Sequence, residues 1–423
     1  MDYLPKNRNE MIIERQQYID KLMNARGNGL IKVVTGIRRC GKSFLLNTLF
    51  IEKLKQDGVQ SQDIFFVNMD NLKSRKLRNP EILLDTVETF CSTSKNIHYV
   101  IIDEVQLVED FTELLNSLLH IPNVDVYVTG SNSRFLSTDI ATEFRGRSFE
   151  IHLWPLSFAE YVSATEGSID EAWDYYLHYG GLPALVSIGV ADREEYLKQL
   201  TVTVYLRDII ERYNVENTSE LRELTRVLAS SIGSLTNATS LANTFKSKKK
   251  ITLSDNTITK YLKYLEEAFL IERCLRYDIR GKQYIGAQSK YYFQDVGLRN
   301  ALLSFRQSDR GSIMENIIYN ELRSRGFSID VGNVTIRPQG APRQTLEIDF
   351  VANKGSRKYY IQSAYQMLSD DKTAQEKRSL LHVNDSFRKI ILTAGYHAPS
   401  HDEDGITTIG IYQFLTDANS IDQ

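Results

Sequence analysis

Gly36 and the triplet Gly41-Lys42-Ser43 bracket Ile37, Arg38, Arg39 and Cys40, and Phe44 follows. This is the spacing G-x-x-x-x-G-K-[ST], and the chemistry it suits is holding a phosphate. Backbone N–H groups converge on an anion only where the chain takes dihedrals that glycine adopts without penalty. A helix beginning at such a loop then presents the positive end of its dipole. In this pattern Lys42 reaches the β- and γ-phosphates of ATP, and Ser43 offers its hydroxyl to Mg²⁺. Residues 36–44 are the expected nucleotide-binding segment. The alternative is an ordinary glycine-rich turn. The β-branched run Ile31-Lys32-Val33-Val34-Thr35 before it and the helical pattern after it favour the phosphate loop.

A phosphate loop needs carboxylates. Tyr99-Val100-Ile101-Ile102 reads as a buried strand that delivers Asp103 and Glu104 to its tip. Asp103 is expected to join Ser43 on the metal, and Glu104 to orient the attacking water. A solvated acidic turn is the bland alternative. Farther on, Thr129-Gly130-Ser131-Asn132 ends another strand, and Asn132 is the candidate reader of the γ-phosphate; turn-forming residues in a plain turn are the competing explanation. Arg145 and Arg147 flank Gly146 before the last strand. Either could act on a neighbouring subunit as an arginine finger, or be a surface arginine. Cys40 is expected to be a small buried residue rather than a reactive thiol.

The elements that position these groups alternate. An amphipathic helix is expected over 8–25. Strands follow near 31–35, 63–68, 96–104, 124–129 and 149–153, with helices to about Lys55, over 80–92 (opened by Pro80) and over 110–120. Such alternation predicts a parallel sheet with its ligand at the carboxyl edge. The length of 423 residues suits about two to four domains. A hydrophobic content of 42% with 25% charged residues is that of a globular chain. The net charge of −3 neither requires nor excludes nucleic acid. Cys40, Cys91 and Cys274 lack metal-ligand spacing, which argues against a disulfide framework. No signal peptide or membrane span is read, so a cytoplasmic location without membrane partners is expected.

Beyond the phosphate loop, Ile102-Asp103-Glu104-Val105-Gln106, Thr129-Gly130-Ser131-Asn132-Ser133 and Arg145-Gly146-Arg147 resemble a group of prokaryotic AAA+ ATP-binding proteins. Later blocks of that group also occur: Tyr179-Gly180-Gly181-Leu182-Pro183, Tyr291-Tyr292-Phe293-Gln294-Asp295-Val296-Gly297-Leu298 and Leu346-Glu347-Ile348-Asp349-Phe350-Val351. The resemblance implies an α/β fold class: an AAA+ P-loop NTPase core with a parallel sheet (1–154), a helical lid (155–215), a winged helix (216–300) and an α/β nuclease-like domain (301–423). It also implies a homo-oligomeric ring, a hexamer or a heptamer.

Ser254 would cap a recognition helix in the third segment, and Ile271–Tyr277 and Lys290–Phe293 would form the wing, joined by Arg280-Gly281-Lys282. Lys246, Lys248, Lys249, Lys250, Lys260, Lys263, Arg280 and Lys282 could face the phosphates of double-stranded DNA; a solvated charge run on a protein-interaction module is the alternative. The last segment resembles the restriction-endonuclease-like core, in which an Asp precedes a strand bearing Glu-x-Lys. Glu315, Glu347 and Asp349 supply acids, but Gln362 and Ala364 stand at the Glu and Lys positions. A fold that has lost cleavage is therefore expected. The chain as a whole reads as a Mg²⁺-dependent ATPase acting on or near DNA. A protein-interaction ATPase docking a protein partner, and an active metal-dependent nuclease, are the alternatives.

Overall fold

The computed structural model describes residues 12–130, 144, 146–249, 253–306, 309–337, 342–367 and 369–422. The chain forms two compact units, Met1–Leu153 and Trp154–Gln423.

The first unit is built on five strands: β1 (Ile31–Thr35), β2 (Ile64–Asn68), β3 (His98–Asp103), β4 (Val124–Thr129) and β5 (Ser148–His152), in the order β2-β3-β4-β1-β5. Every neighbouring pair is parallel. β1 and β3 are buried along their whole length, as their continuous apolar runs require. Val33, Val100, Ile102, Val126 and Val128 share one core with Leu83, Val87, Leu114, Leu115 and Leu118 from the helices Pro80–Cys91 and Phe111–Leu118. The first of these helices starts at Pro80 because Asn79 Oδ1 accepts the Ile82 N–H, 3.0 Å away. Lys32, an apparent misfit in β1, is neutralised by an ion pair with Asp125 of β4. The N-terminal helix is shorter than the expected 8–25. It spans Gln16–Asn24, because Arg15 takes a left-handed backbone (φ 50°) that a helix cannot continue through. Residues 8–11 of the expected range lie outside the described residues.

The second unit begins with helices Phe158–Ser163, Ile169–Tyr179, Ala184–Ser187 and Val190–Leu200, the last continuing to Arg212. Ser157 and Ser168 open the first two with reciprocal Ser–Glu caps. Helices Thr218–Ser230, Ala238–Thr244 and Asp255–Glu267 follow, the last capped by Ser254. Then comes an eight-stranded sheet: β6 (Ile271–Asp278), β7 (Gln283–Phe293), β8 (Ser328–Ile336), β9 (Gln344–Lys354), β10 (Arg357–Ala364), β11 (Arg388–Thr393), β12 (Ser400–His401) and β13 (Ile406–Gly410), ordered β12-β13-β11-β10-β9-β8-β6-β7.

This differs from the expected free-standing wing. The β6–β7 hairpin belongs to the C-terminal sheet, because Arg276, Tyr277 and Asp278 pair in parallel with Val331, Gly332 and Asn333 of β8. β9 runs from Gln344 to Lys354, so Asp349 lies within the strand. Helix Arg310–Ser324 packs on β7 through β10 and carries Glu315. Two sequence blocks far apart in the chain meet here. Asp295 Oδ2 accepts the Gly181 N–H at 2.8 Å, and a β-carbon on Gly297 would lie 1.8 Å from the Tyr179 carbonyl oxygen. Among the described residues, no helix is long and apolar enough to cross a membrane.

Candidate functional site

The phosphate loop joins β1 to a helical run from Lys42 to Gln56. Gly36 sits at φ 139°, and a β-carbon there would lie 2.2 Å from the Leu153 carbonyl oxygen, so only glycine fits. Gly41, at φ 100°, opens the helix. Arg39 completes the loop in the left-handed region at φ 65°. Ile37 and Cys40 are buried beneath it, whereas Arg38, Arg39, Ser43 and Phe44 face solvent. Lys42 is buried, and its ammonium donates to the carbonyls of Gly36 (2.9 Å) and Ile37 (3.1 Å), so the lysine lies folded over its own loop. Burial pushes the Cys40 thiol up, which keeps it protonated and unreactive.

Asp103 ends β3 directly beneath this loop. Three side chains hold its carboxylate: Ser43 donates to Oδ1 at 3.0 Å, Thr129 donates to Oδ1 at 2.5 Å, and Asn68 Nδ2 donates to Oδ2 at 2.9 Å. Burial raises the Asp103 pKa, and the Thr129 and Ser43 hydroxyls pull it back down. A hard divalent cation takes oxygen ligands, and Ser43 Oγ with Asp103 Oδ1 is a pair close enough to share one.

Glu104 lies one residue beyond the strand in the left-handed region (φ 57°). For a non-glycine residue this backbone is costly, and it is held from both sides. The Glu104 N–H donates to Thr129 Oγ1 at 2.9 Å, and Gln106 Nε2 donates to the Glu104 carboxylate. The turn thus sets Glu104 next to Asp103 in sequence, its carboxylate held by Gln106.

The sequence places Lys42, Ser43, Asp103 and Glu104 together, and the structure brings them to one sheet edge. Asn132 and Arg145 lie outside the described residues. Arg147 is exposed at the entrance to β5, its guanidinium 3.4 Å from Asn116 Oδ1. Thr129 and Asn68 were not singled out by the sequence. Their signal is positional: each ends a strand flanking β3, so its side chain reaches the same carboxylate.

The family described as "AAA domain" matches residues 28–162, and a "Domain of unknown function" matches residues 170–309. An uncharacterised protein of Haemophilus influenzae is 32% identical over 96% of this chain and 98% of its own length. An uncharacterised protein of Methanocaldococcus jannaschii is 26% identical over 82% of this chain and 77% of its own. Among solved structures, a Walker-type ATPase of Pyrococcus abyssi superposes with a TM-score of 0.50 at 17% identity, covering 71% of this chain and 99% of that one, a likeness of fold. The chain belongs to the family of the Haemophilus influenzae protein, and its first unit carries an AAA domain of the P-loop ATPase class.

Proposed function

We propose that the protein binds ATP with Mg²⁺ at the phosphate loop and hydrolyses it, in a homo-oligomeric ring. The observation that carries this reading is the contact of Ser43 with Asp103, with Glu104 following at a left-handed turn. Loop N–H groups and Lys42 hold the phosphates. When bound, the metal ion neutralises charge on the β- and γ-phosphates. Glu104 accepts a hydrogen bond from the attacking water and aligns it. Thr129 keeps both carboxylates in register. Asn132 reads the γ-phosphate, and Arg145 or Arg147 completes a neighbouring subunit's site; the exposure of Arg147 supports that role.

Hydrolysis then drives the second unit, read as a helical lid, a helical segment over 218–267 and a nuclease-like core whose sheet the β6–β7 hairpin extends. The order helix, β8, β9, β10, helix, β11 supports the last assignment. Exposed Lys246, Lys260 and Lys282 support action on or near double-stranded DNA. Two other cations expected on phosphate make contacts within the chain. Arg280 donates to the carbonyls of Thr335 (2.9 Å) and His382 (3.2 Å), and Lys263 lies 3.5 Å from Glu267.

The test is ATP hydrolysis with double-stranded DNA, single-stranded DNA, RNA or no addition. Stimulation by double-stranded DNA that fades with salt supports the DNA reading. Basal hydrolysis unmoved by any nucleic acid supports the protein-partner reading. Absence of hydrolysis in every arm sinks the ATPase itself.

A further inference from the structure

Behind the helix Arg310–Ser324, three carboxylates converge on one ammonium. Lys290 Nζ lies 2.8 Å from Glu315 Oε1, 2.8 Å from Glu347 Oε1 and 3.3 Å from Asp349 Oδ1, and its side chain is 2% exposed. The four residues come from three elements. Lys290 is on β7, Glu347 and Asp349 share one face of β9, and Glu315 is on the helix. Burial opposes the charge on Lys290, but the carboxylates outweigh it and hold its pKa well above the usual lysine value. Burial also pushes the Glu315 carboxyl up to about 7.

Two of the three carboxylates accept a further bond. Glu315 Oε1 accepts the Tyr292 hydroxyl at 2.6 Å, and Asp349 Oδ2 accepts the Ser363 N–H at 2.9 Å. Gln362, which stands at the Glu position of the Glu-x-Lys strand that the sequence resembles, donates to Glu376 at 3.3 Å. Among the described residues, no group of three or more His, Cys, Asp or Glu side chains is placed to hold a metal ion. Hard divalent cations draw oxygens to about 2.0–2.6 Å; these oxygens stand at ammonium distance around a nitrogen already at their centre. A second cation in the same cage would meet direct repulsion from Lys290.

We propose that Lys290 is a built-in cation: its ammonium occupies the place where this carboxylate cluster would otherwise bind a divalent metal ion, leaving the C-terminal sheet with a metal-free site. The consequence is a structural centre with no metal-dependent hydrolysis of its own, whether or not the first unit turns over ATP.

The test is Mn²⁺ binding to the full chain without nucleotide, read by electron paramagnetic resonance of the free ion. An Asp103→Asn background removes the phosphate-loop carboxylate. With Lys290 present, no Mn²⁺ site tighter than about 1 mM depends on Asp349. Lys290→Ala opens one, tightening binding by about tenfold or more, and adding Asp349→Asn abolishes it. Should Lys290→Ala prove too unstable to purify, Lys290→Ala with Glu347→Gln removes one charge of each sign and keeps Glu315 and Asp349 for the same readout. A site tighter than about 1 mM with Lys290 intact, lost on Asp349→Asn, overturns the proposal. So does a folded chain lacking Lys290 that gains no site.

Discussion

Replacing Thr129 with valine keeps the side-chain shape and removes one hydroxyl. That hydroxyl donates to Asp103 Oδ1 at 2.5 Å and accepts the Glu104 N–H at 2.9 Å. The first is a bond to a charged group and the second is a backbone bond at a part-buried turn. Together they amount to about 2–4 kcal/mol by the usual range for such pairs. Some of that is lost as stability. The rest appears as misplacement of Glu104, whose left-handed backbone loses one of its restraints. A share of about 1.4–2.7 kcal/mol corresponds to a tenfold to hundredfold fall in kcat. ATP affinity should change little, because the loop and Lys42 are untouched.

The pH profile supplies a readout that plain destabilisation would not move. The Thr129 hydroxyl opposes the upward push of burial on the Asp103 carboxyl. Its removal raises that pKa further, so the acid limb of the rate profile moves to higher pH. The assay is steady-state ATP hydrolysis across pH, with binding followed by a fluorescent nucleotide. Thr129→Ser, which keeps the hydroxyl, should restore both rate and profile. Wild-type kcat and an unmoved acid limb in Thr129→Val would refute the argument.

Further expectations follow from single contacts. Gly36→Ala places a methyl 2.2 Å from the Leu153 carbonyl oxygen at φ 139°, so it should abolish ATP binding or cost several kcal/mol of stability; a fluorescent-nucleotide titration with a thermal melt checks both. Burial pushes the Asp295 carboxyl up to about 6 from a usual 3.8, although Gly181 and Leu298 donate to it. Between those values the folded chain keeps a proton that the unfolded chain has released. This group's stabilisation is therefore complete below about pH 4 and lost by about pH 6, a change of about 3 kcal/mol. Urea unfolding at pH 4.5 and 7 should show that component in the wild type and not in Asp295→Asn; identical pH dependence in both would count against it.

The phosphate loop and the strand before Asp103 were legible because local physics dictates them: only glycine fits Gly36, and only a buried strand tolerates Tyr99–Ile102. That the strands run parallel followed from the alternation of elements. Thr129 and Asn68 were not legible as site residues, since a strand-ending Thr or Asn looks like any turn former until strand order puts it beside β3. The hairpin 271–293 was read as a separate wing because its own pattern is complete. Its pairing with β8 depends on a contact across about fifty residues of sequence, which no local period encodes. Lys290 was hidden for the same reason. The resembled motif carries its lysine two residues after position 362 on β10, where Ala364 stands, while the ammonium among these carboxylates comes from β7.

The most direct measurement compares the wild-type chain with Glu104→Gln, following ATP binding and turnover in parallel. In the proposed mechanism Glu104 aligns the water, whereas the loop, Lys42 and Ser43 hold the nucleotide and the metal. The variant should therefore bind ATP as the wild type does, while turnover falls by about a hundredfold or more, the usual worth of a general base. Equal turnover in the two chains, or loss of binding together with turnover, would contradict the assignment of Glu104 to the attacking water.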